Sequence, residues 1–314
     1  MPKTFPRGRI CWTELSTTDP KAAQAFYKAA VGWGTQPWDM DSSYVMWTAG
    51  GTPVGGLTAL SDEARRRGAP PGWMMSVAVP DVDASARQAV SMGARVSVQP
   101  QDIPTMGRFA VLSDPQGATF ALFSSTTDIP GHDGPSKPGE FSWHELATTD
   151  QTAAWGFYEQ LFGWAKMDAM DMGPSGTYQM FGRAGQMLGA MYGKPLEMPA
   201  SNWLCYVLVP SADSAAAVVQ RLGGKVLNGP MDIPGGGRIA QCMDPQGAAF
   251  ALHSNAAPAK AASKPKGGAK KPAKKAKKTA KKAVKKAKKA AKKIKKATKK
   301  PAKKARKAAK KKKR

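Results

Sequence analysis

One stretch of this chain is written twice. Trp12-Thr13-Glu14-Leu15-Ser16-Thr17-Thr18-Asp19 returns 131 residues later as Trp143-His144-Glu145-Leu146-Ala147-Thr148-Thr149-Asp150. Phe26-Tyr27 returns as Phe157-Tyr158 and Gly32-Trp33 as Gly163-Trp164, at the same offset. Further on the offset falls to 130: Asp102-Ile103-Pro104 matches Asp232-Ile233-Pro234, and Asp114-Pro115-Gln116-Gly117 matches Asp244-Pro245-Gln246-Gly247. A self-similarity this long and dense requires two homologous domains. The spacing places the first over residues 1–127 and the second over 140–255, with a Pro- and Gly-rich linker over 128–139.

Each repeat runs through the same order of elements. The alternation over Ile10–Ser16 predicts a strand. Asp19-Pro20 reads as a helix cap with proline at the first helical position, and Gly32 ends the helix. Strand-like pieces follow near Tyr44–Thr48 and Val54–Leu60. The half-repeat then restarts with a strand over Met74–Val79 and a helix over Asp83–Met92, and further strands run to Phe123. Asp114-Pro115-Gln116-Gly117 fits a type I turn before the last strand. The expectation is an α+β chain of two tandem domains, each a pair of βαβββ modules.

Charge divides the chain a second time. Thirty of its 48 lysines and arginines lie in residues 260–314, which hold no acid, whereas residues 1–259 carry a net charge of −4. The segment 256–314 is almost entirely Ala, Lys and Pro, and is expected to be disordered by itself because like charges three and four apart repel. Its doublets Lys274–Lys275, Lys277–Lys278, Lys281–Lys282, Lys285–Lys286, Lys288–Lys289, Lys292–Lys293 and Lys295–Lys296 recur near the helical period. They are the expected contacts for nucleic acid, DNA or RNA, or another polyanion. Without aromatic residues in the tail, such binding would be electrostatic and non-specific. No apolar run reaches the ~18–20 residues of a membrane helix. The N-terminus has no apolar signal core. Three cysteines, Cys11, Cys205 and Cys242, form neither a zinc spacing nor a disulfide framework. Composition thus reads as cytoplasmic, with the tail a candidate for nucleoid association and no membrane partner.

The strand–TTD–helix–FY–GW opening and the DPQG turn resemble the vicinal oxygen chelate superfamily, which includes glyoxalase I, bleomycin- and fosfomycin-resistance proteins and extradiol dioxygenases. The tail resembles, in composition, those of linker histones. The superfamily resemblance implies that each module pair curls into a cup, that two domains pair as an intramolecular pseudo-dimer, and that a cup often holds a divalent metal. It also implies where the metal ligands would stand: Trp12, Met74 and Ala121 in the first repeat, Trp143, Leu204 and Ala251 in the second. None of the six side chains is a metal donor of biological strength, so neither metal nor cofactor is expected.

Other residues remain as candidates. Glu14 and Glu145 share the cup face of their strands with the tryptophans, two residues away. A carboxylate beside indole could have a raised pKa and act as an acid or base. His253, on the face of Ala251, is a candidate for proton transfer or ligand contact. Trp12, Trp143, Tyr44 and Tyr178 would wall a cup suited to a flat or apolar ligand, whereas Trp47 and Phe181 read as core, and Arg108 and Arg238 as rim salt bridges. Three functions stay open: a small-molecule-binding body with a polyanion-binding tail; a metal-independent lyase, isomerase or oxygenase using Glu14, Glu145 or His253; and a nucleoid architectural protein.

Overall fold

Each repeat opens with a strand that an aspartate converts into a helix. Asp19 and Asp150 each accept the backbone N–H three residues on, at 2.9 Å in both cases, which satisfies one of the unpaired donors of a helix start. The computed structural model describes residues 6–256. The lysine-rich segment, and with it the expected polyanion contacts, lies outside the described residues.

The first domain contains β1 (Ile10–Thr17), α1 (Pro20–Ala30), β2 (Gly34–Trp38), β3 (Asp41–Ala49), β4 (Thr52–Ala59), a short α2 (Asp62–Arg66), β5 (Gly72–Ala78), α3 (Val82–Ser91), β6 (Arg95–Ile103), β7 (Gly107–Ser113) and β8 (Thr119–Ser125). The second contains β9 (Phe141–Thr148), α4 (Gln151–Phe162), β10 (Ala165–Asp171), β11 (Thr177–Arg183), β12 (Gln186–Gly193), β13 (Asn202–Leu208), α5 (Ala212–Arg221), β14 (Lys225–Asp232), β15 (Arg238–Met243) and β16 (Ala249–Ser254). The βαβββ pairs stand as the repeat implies. The edge strand β2 is the third strand that the βαβββ order requires, outside the two strand-like pieces read from the sequence, and the short helix α2, capped by Ser61, is an addition.

The strands form two eight-stranded sheets, ordered β2-β3-β4-β1-β5-β8-β7-β6 and β10-β11-β12-β9-β13-β16-β15-β14. The two modules of a domain join edge to edge where β1 pairs antiparallel with β5, and β9 with β13. Alternation divides each central strand between two faces. Leu15, Met75, Val77, Phe120 and Leu122 point to the helix-covered side and are fully buried, while Trp12, Glu14 and Ser76 point into the cup.

The cores behind the sheets are shared. One cluster joins Met75, Val77, Phe120 and Leu122 of the first domain with Phe157, Tyr158, Phe162 and Trp164 of the second. The other joins Phe26, Tyr27, Trp33 and Trp47 with Cys205, Val207, Val219 and Phe250. Phe181 falls in the first cluster, so it and Trp47 are core residues, not cup walls.

Hydrogen bonds cross the same boundary as a matched pair. The Tyr27 hydroxyl donates to Asp244 at 3.0 Å, and Tyr158 donates to Asp114 at 3.0 Å. Each tyrosine also accepts an indole N–H, from Trp73 at 2.9 Å and from Trp203 at 3.0 Å. The aspartates belong to the two DPQG turns. The other oxygen of Asp114 holds the N–H groups of Gln116 and Ala118, at 3.0 and 2.8 Å. Gly117 closes that turn at φ +95°, a conformation that side chains disfavour. Trp33 and Trp164 complete the set, donating to the carbonyls of Gly139 and Gly8 at 2.7 Å each.

Tyr158→Phe removes one hydroxyl and strands two buried partners, Asp114 and the Trp203 indole. An unpaired buried polar group costs about 1–3 kcal/mol, so urea unfolding should show a loss of about 2–4 kcal/mol. Tyr27→Phe should match it. A loss below about 0.5 kcal/mol in both variants would show that the latches contribute nothing.

Candidate cup sites and family membership

The cup floors are set by one irregularity. The register of β1 against β5 shifts between Ile10 and Trp12, and that of β13 against β9 shifts between Tyr206 and Val207, so Cys11 and Ser142 are extra residues in their strands. Past this bulge Trp12 pairs with Ser76, and Trp143 with Tyr206. Ser76 and Tyr206 in turn pair with Ala121 and Ala251. Met74 and Leu204 lie one step along, opposite Glu14 and Glu145. The rows across the cups are thus Trp12–Ser76–Ala121 and Trp143–Tyr206–Ala251. Indole, hydroxyl and methyl groups do not fit a divalent cation, and a single glutamate per cup does not complete a ligand set. Among the described residues no group of three or more His, Cys, Asp or Glu could hold a metal.

The two cups share a motif. Trp12 donates its indole N–H to Tyr44 at 2.8 Å, and Trp143 to Tyr178 at 2.8 Å. Each tyrosine then hydrogen-bonds the glutamate of its own cup: Tyr44 to Glu14, and Tyr178 to Glu145 at 2.6 Å. Burial is the main effect on both carboxyls and raises their pKa, which the tyrosine hydroxyls partly offset.

From there the cups differ. Glu145 takes a second hydroxyl, from Tyr206 at 2.6 Å, and Gln241 reaches the same tyrosine oxygen at 2.9 Å. The equivalents of Tyr206 and Gln241 in the first cup are Ser76 and Val111. Tyr192 stacks on Tyr178, ring centroids 5.8 Å apart, where the first domain has Thr58. A cavity of about 110 Å³ opens beside Glu145, lined also by Ala147, Tyr192, Met198, Leu204, Leu227, Gln241 and Ala249. In the first domain Ser16, Met74 and Thr119 stand in the places of Ala147, Leu204 and Ala249. Leu227, one of these lining residues, is 54% exposed.

The far end of each cup repeats the contrast. In the first domain Cys11, Ala78 and Phe123 form an apolar plug packed with Ile129 of the linker. In the second, Ser142 and His253 replace Cys11 and Phe123, and the hydroxyl lies 3.0 Å from Nδ1 of His253. Burial lowers the pKa of His253. His144 occupies the back of the sheet, where burial takes its pKa down to about 4. Arg108 is held by Asp83 and Asp102 at 2.6 and 2.7 Å, and Arg238 by Asp213 and Asp232 at 2.7 and 2.6 Å, all partly exposed pairs away from the cups. Tyr192, Tyr206, Gln241 and Ser142 escaped the sequence reading. The one signal available was that these positions differ between otherwise matched repeats.

Comparison with known proteins settles the lineage. Residues 12–123 match the family of the glyoxalase-like domain, and residues 141–252 match the Glyoxalase/Bleomycin resistance protein/Dioxygenase superfamily. CFP32 of Mycobacterium bovis, which carries a glyoxylase name, is 32% identical over 80% of this chain and 97% of its own length. This chain belongs to the glyoxalase/bleomycin resistance/dioxygenase superfamily. The superfamily relative DauV of Streptomyces sp. strain C5, named as an anthracycline biosynthesis protein, is 28% identical over 79% of this chain and 94% of its own. Two solved structures share the superfamily fold at low identity. The 2,3-dioxygenase LapB from Pseudomonas sp. KL28 superposes with a TM-score of 0.58 at 13% identity, covering 80% of this chain and 94% of that one. The Mn(II)-bound glyoxalase from Novosphingobium aromaticivorans gives 0.54 at 18%, covering 80% and 82%.

The raised carboxyls fix a pH dependence. A carboxyl with a folded-state pKa above its unfolded value binds more protons when folded, so its contribution to stability is lost as pH rises through the folded pKa. From about pH 4.3, the ordinary glutamate value, wild-type stability should therefore lose the contributions of Glu14 and Glu145 as pH rises. Glu145→Gln and Glu14→Gln should each flatten that decline in denaturant melts over a pH series. An unchanged slope in both variants would show that neither carboxyl is raised.

Proposed function

We propose that this superfamily member binds a small organic molecule in the cup of its second domain, without a metal, and that its lysine-rich tail binds polyanions. The observation that carries the first part is the cavity beside Glu145. It combines one buried carboxylate, hydroxyl and amide donors fixed around it, and an apolar mouth of Leu227 and Met198. Ligand sites are built this way, mostly apolar with a few placed polar groups. The anthracycline biosynthesis name of one relative supports a flat, hydroxylated aromatic as the ligand class, one edge of which would enter the cavity while the rest lies over the exposed Leu227. Binding is favoured over turnover because both oxygens of Glu145 are held by tyrosines, and no second acid or base of ordinary pKa lines the cavity.

A hydroxyanthraquinone titrated against the intact protein should quench tryptophan fluorescence with saturation. Removing an aromatic anchor from a ligand site costs about 2 kcal/mol or more. Tyr192→Ala should therefore weaken binding at least about tenfold, while Arg238→Ala and Trp12→Ala should change it less than about twofold. Equal losses from Tyr192→Ala and Arg238→Ala would place the ligand outside this cup.

The tail reading rests on charge. Thirty cations without an acid stand beside a body of net charge −4. Engaging about ten phosphates would give a slope of log K against log salt near −9. Truncation after Asn255 should abolish DNA binding in gel-shift titrations, and DNA sequence should matter little. A truncated protein that still binds DNA tightly, or binding insensitive to salt, would overturn it. Nucleoid association would follow from such binding.

A further inference from the structure

Among the described residues, no cation faces the buried carboxyl group of the second cup. Glu145 is 6% exposed. No lysine, arginine or histidine lines the cavity beside it. Lys194, just after β12, turns its ammonium to the Met198 carbonyl at 2.6 Å. Tyr178 and Tyr206 donate hydroxyls to the carboxylate, but hydroxyls carry no charge. A carboxylate taken out of water needs a paired charge or must be neutralised. The remaining wall offers what a soft organic cation prefers. Tyr192 presents an aromatic ring, Met198 a polarizable thioether, and Leu204 and Leu227 apolar contact. The space, about 110 Å³, suits an ammonium head group; a dry cavity of ~150 Å³ takes benzene. The first cup lacks these wall features, with Thr58, Met74 and Ser97 in the places of Tyr192, Leu204 and Leu227.

We infer that the cavity beside Glu145 recognises the ammonium group of an organic cation, with Glu145 as counter-charge and Tyr192 and Met198 as its soft wall. This rests on the second cup being the ligand seat, and names the charge of what sits there. An amine or quaternary ammonium enters with its head against Glu145, and any apolar remainder lies over Leu227 at the mouth.

The test uses two probes of one shape. Choline and 3,3-dimethylbutan-1-ol differ by a quaternary nitrogen in place of a carbon, and choline keeps its charge at every pH. Calorimetric titration of the full chain should show choline binding at least about tenfold tighter than the alcohol. Glu145→Gln should remove that preference and Glu14→Gln should retain it. In the unmutated protein, choline affinity should fall as pH drops through the raised pKa of Glu145. The other titratable groups facing that carboxylate are Tyr178, Tyr192 and Tyr206, all pushed upward by burial, so they stay neutral there. Cys242, pushed up to about 12, stays neutral as well. Equal affinities for the two probes would overturn the inference, as would choline binding that ignores both pH and Glu145→Gln. If the hydroxyanthraquinone binds and choline does not, the cation assignment alone fails. If none of the three binds, the ligand seat fails with it.

Discussion

The structure depends on two buried hydrogen-bond relays, Trp203–Tyr158–Asp114 and Trp73–Tyr27–Asp244. Each passes from the core of one domain into a tight turn of the other. The aspartate does two tasks at once. One oxygen ties its own turn together through backbone N–H groups, and the other accepts the tyrosine of the opposite repeat. Burial raises its carboxyl pKa, which the tyrosine hydroxyl and the backbone N–H donors partly offset. Such a group is tolerable only with all its partners in place. Neither the turn nor the helix that carries the tyrosine is therefore complete in an isolated repeat.

Shared cores extend the same dependence. The helix of one repeat covers sheet residues of the other, so the apolar backs of both sheets are hidden only when the domains are together. This arrangement uses the helices and the backs for cohesion and leaves the cup faces free. The first domain then fills part of its cup with Phe123, Cys11 and the linker residue Ile129. The second replaces that plug with Ser142 and His253 and opens a cavity beside Glu145. Duplication lets one copy serve packing while the other becomes polar, because the cohesion common to both lies on the opposite face.

Most of the fold was legible in the sequence. The Asp-Pro cap, the helical spacing of Ala23, Phe26, Tyr27 and Ala30, and the DPQG turn act through local chemistry that any copy of those residues must show. The edge strand β2 was harder to read because it is mostly exposed, so its alternation reports no buried face. The short helix α2 buries no side chain fully, its only local mark being the Ser61 cap. The candidate site was legible in part. Trp12, Trp143, Glu14 and Glu145 follow from strand alternation, since period two puts them on one face. Tyr206 and Gln241 do not follow, because their place beside Glu145 depends on the pairing of β9 with β13 and of β15 with β16, and the bulge at Ser142 shifts that pairing by one residue.

The sequence by itself determined that there are two homologous βαβββ pairs, that the family's metal positions lack donors, and that positive charge is concentrated after residue 259. These are properties of residue order and type, and they hold before the chain folds. The tertiary structure decided which aspartate meets which tyrosine. It also decided that the two glutamates, identical in local sequence, occupy different surroundings. Strand register and inter-domain packing bring together residues far apart in the chain. Local pattern carries no record of that distance, so Glu145 could be identified from the sequence but its burial between two tyrosine hydroxyls could not.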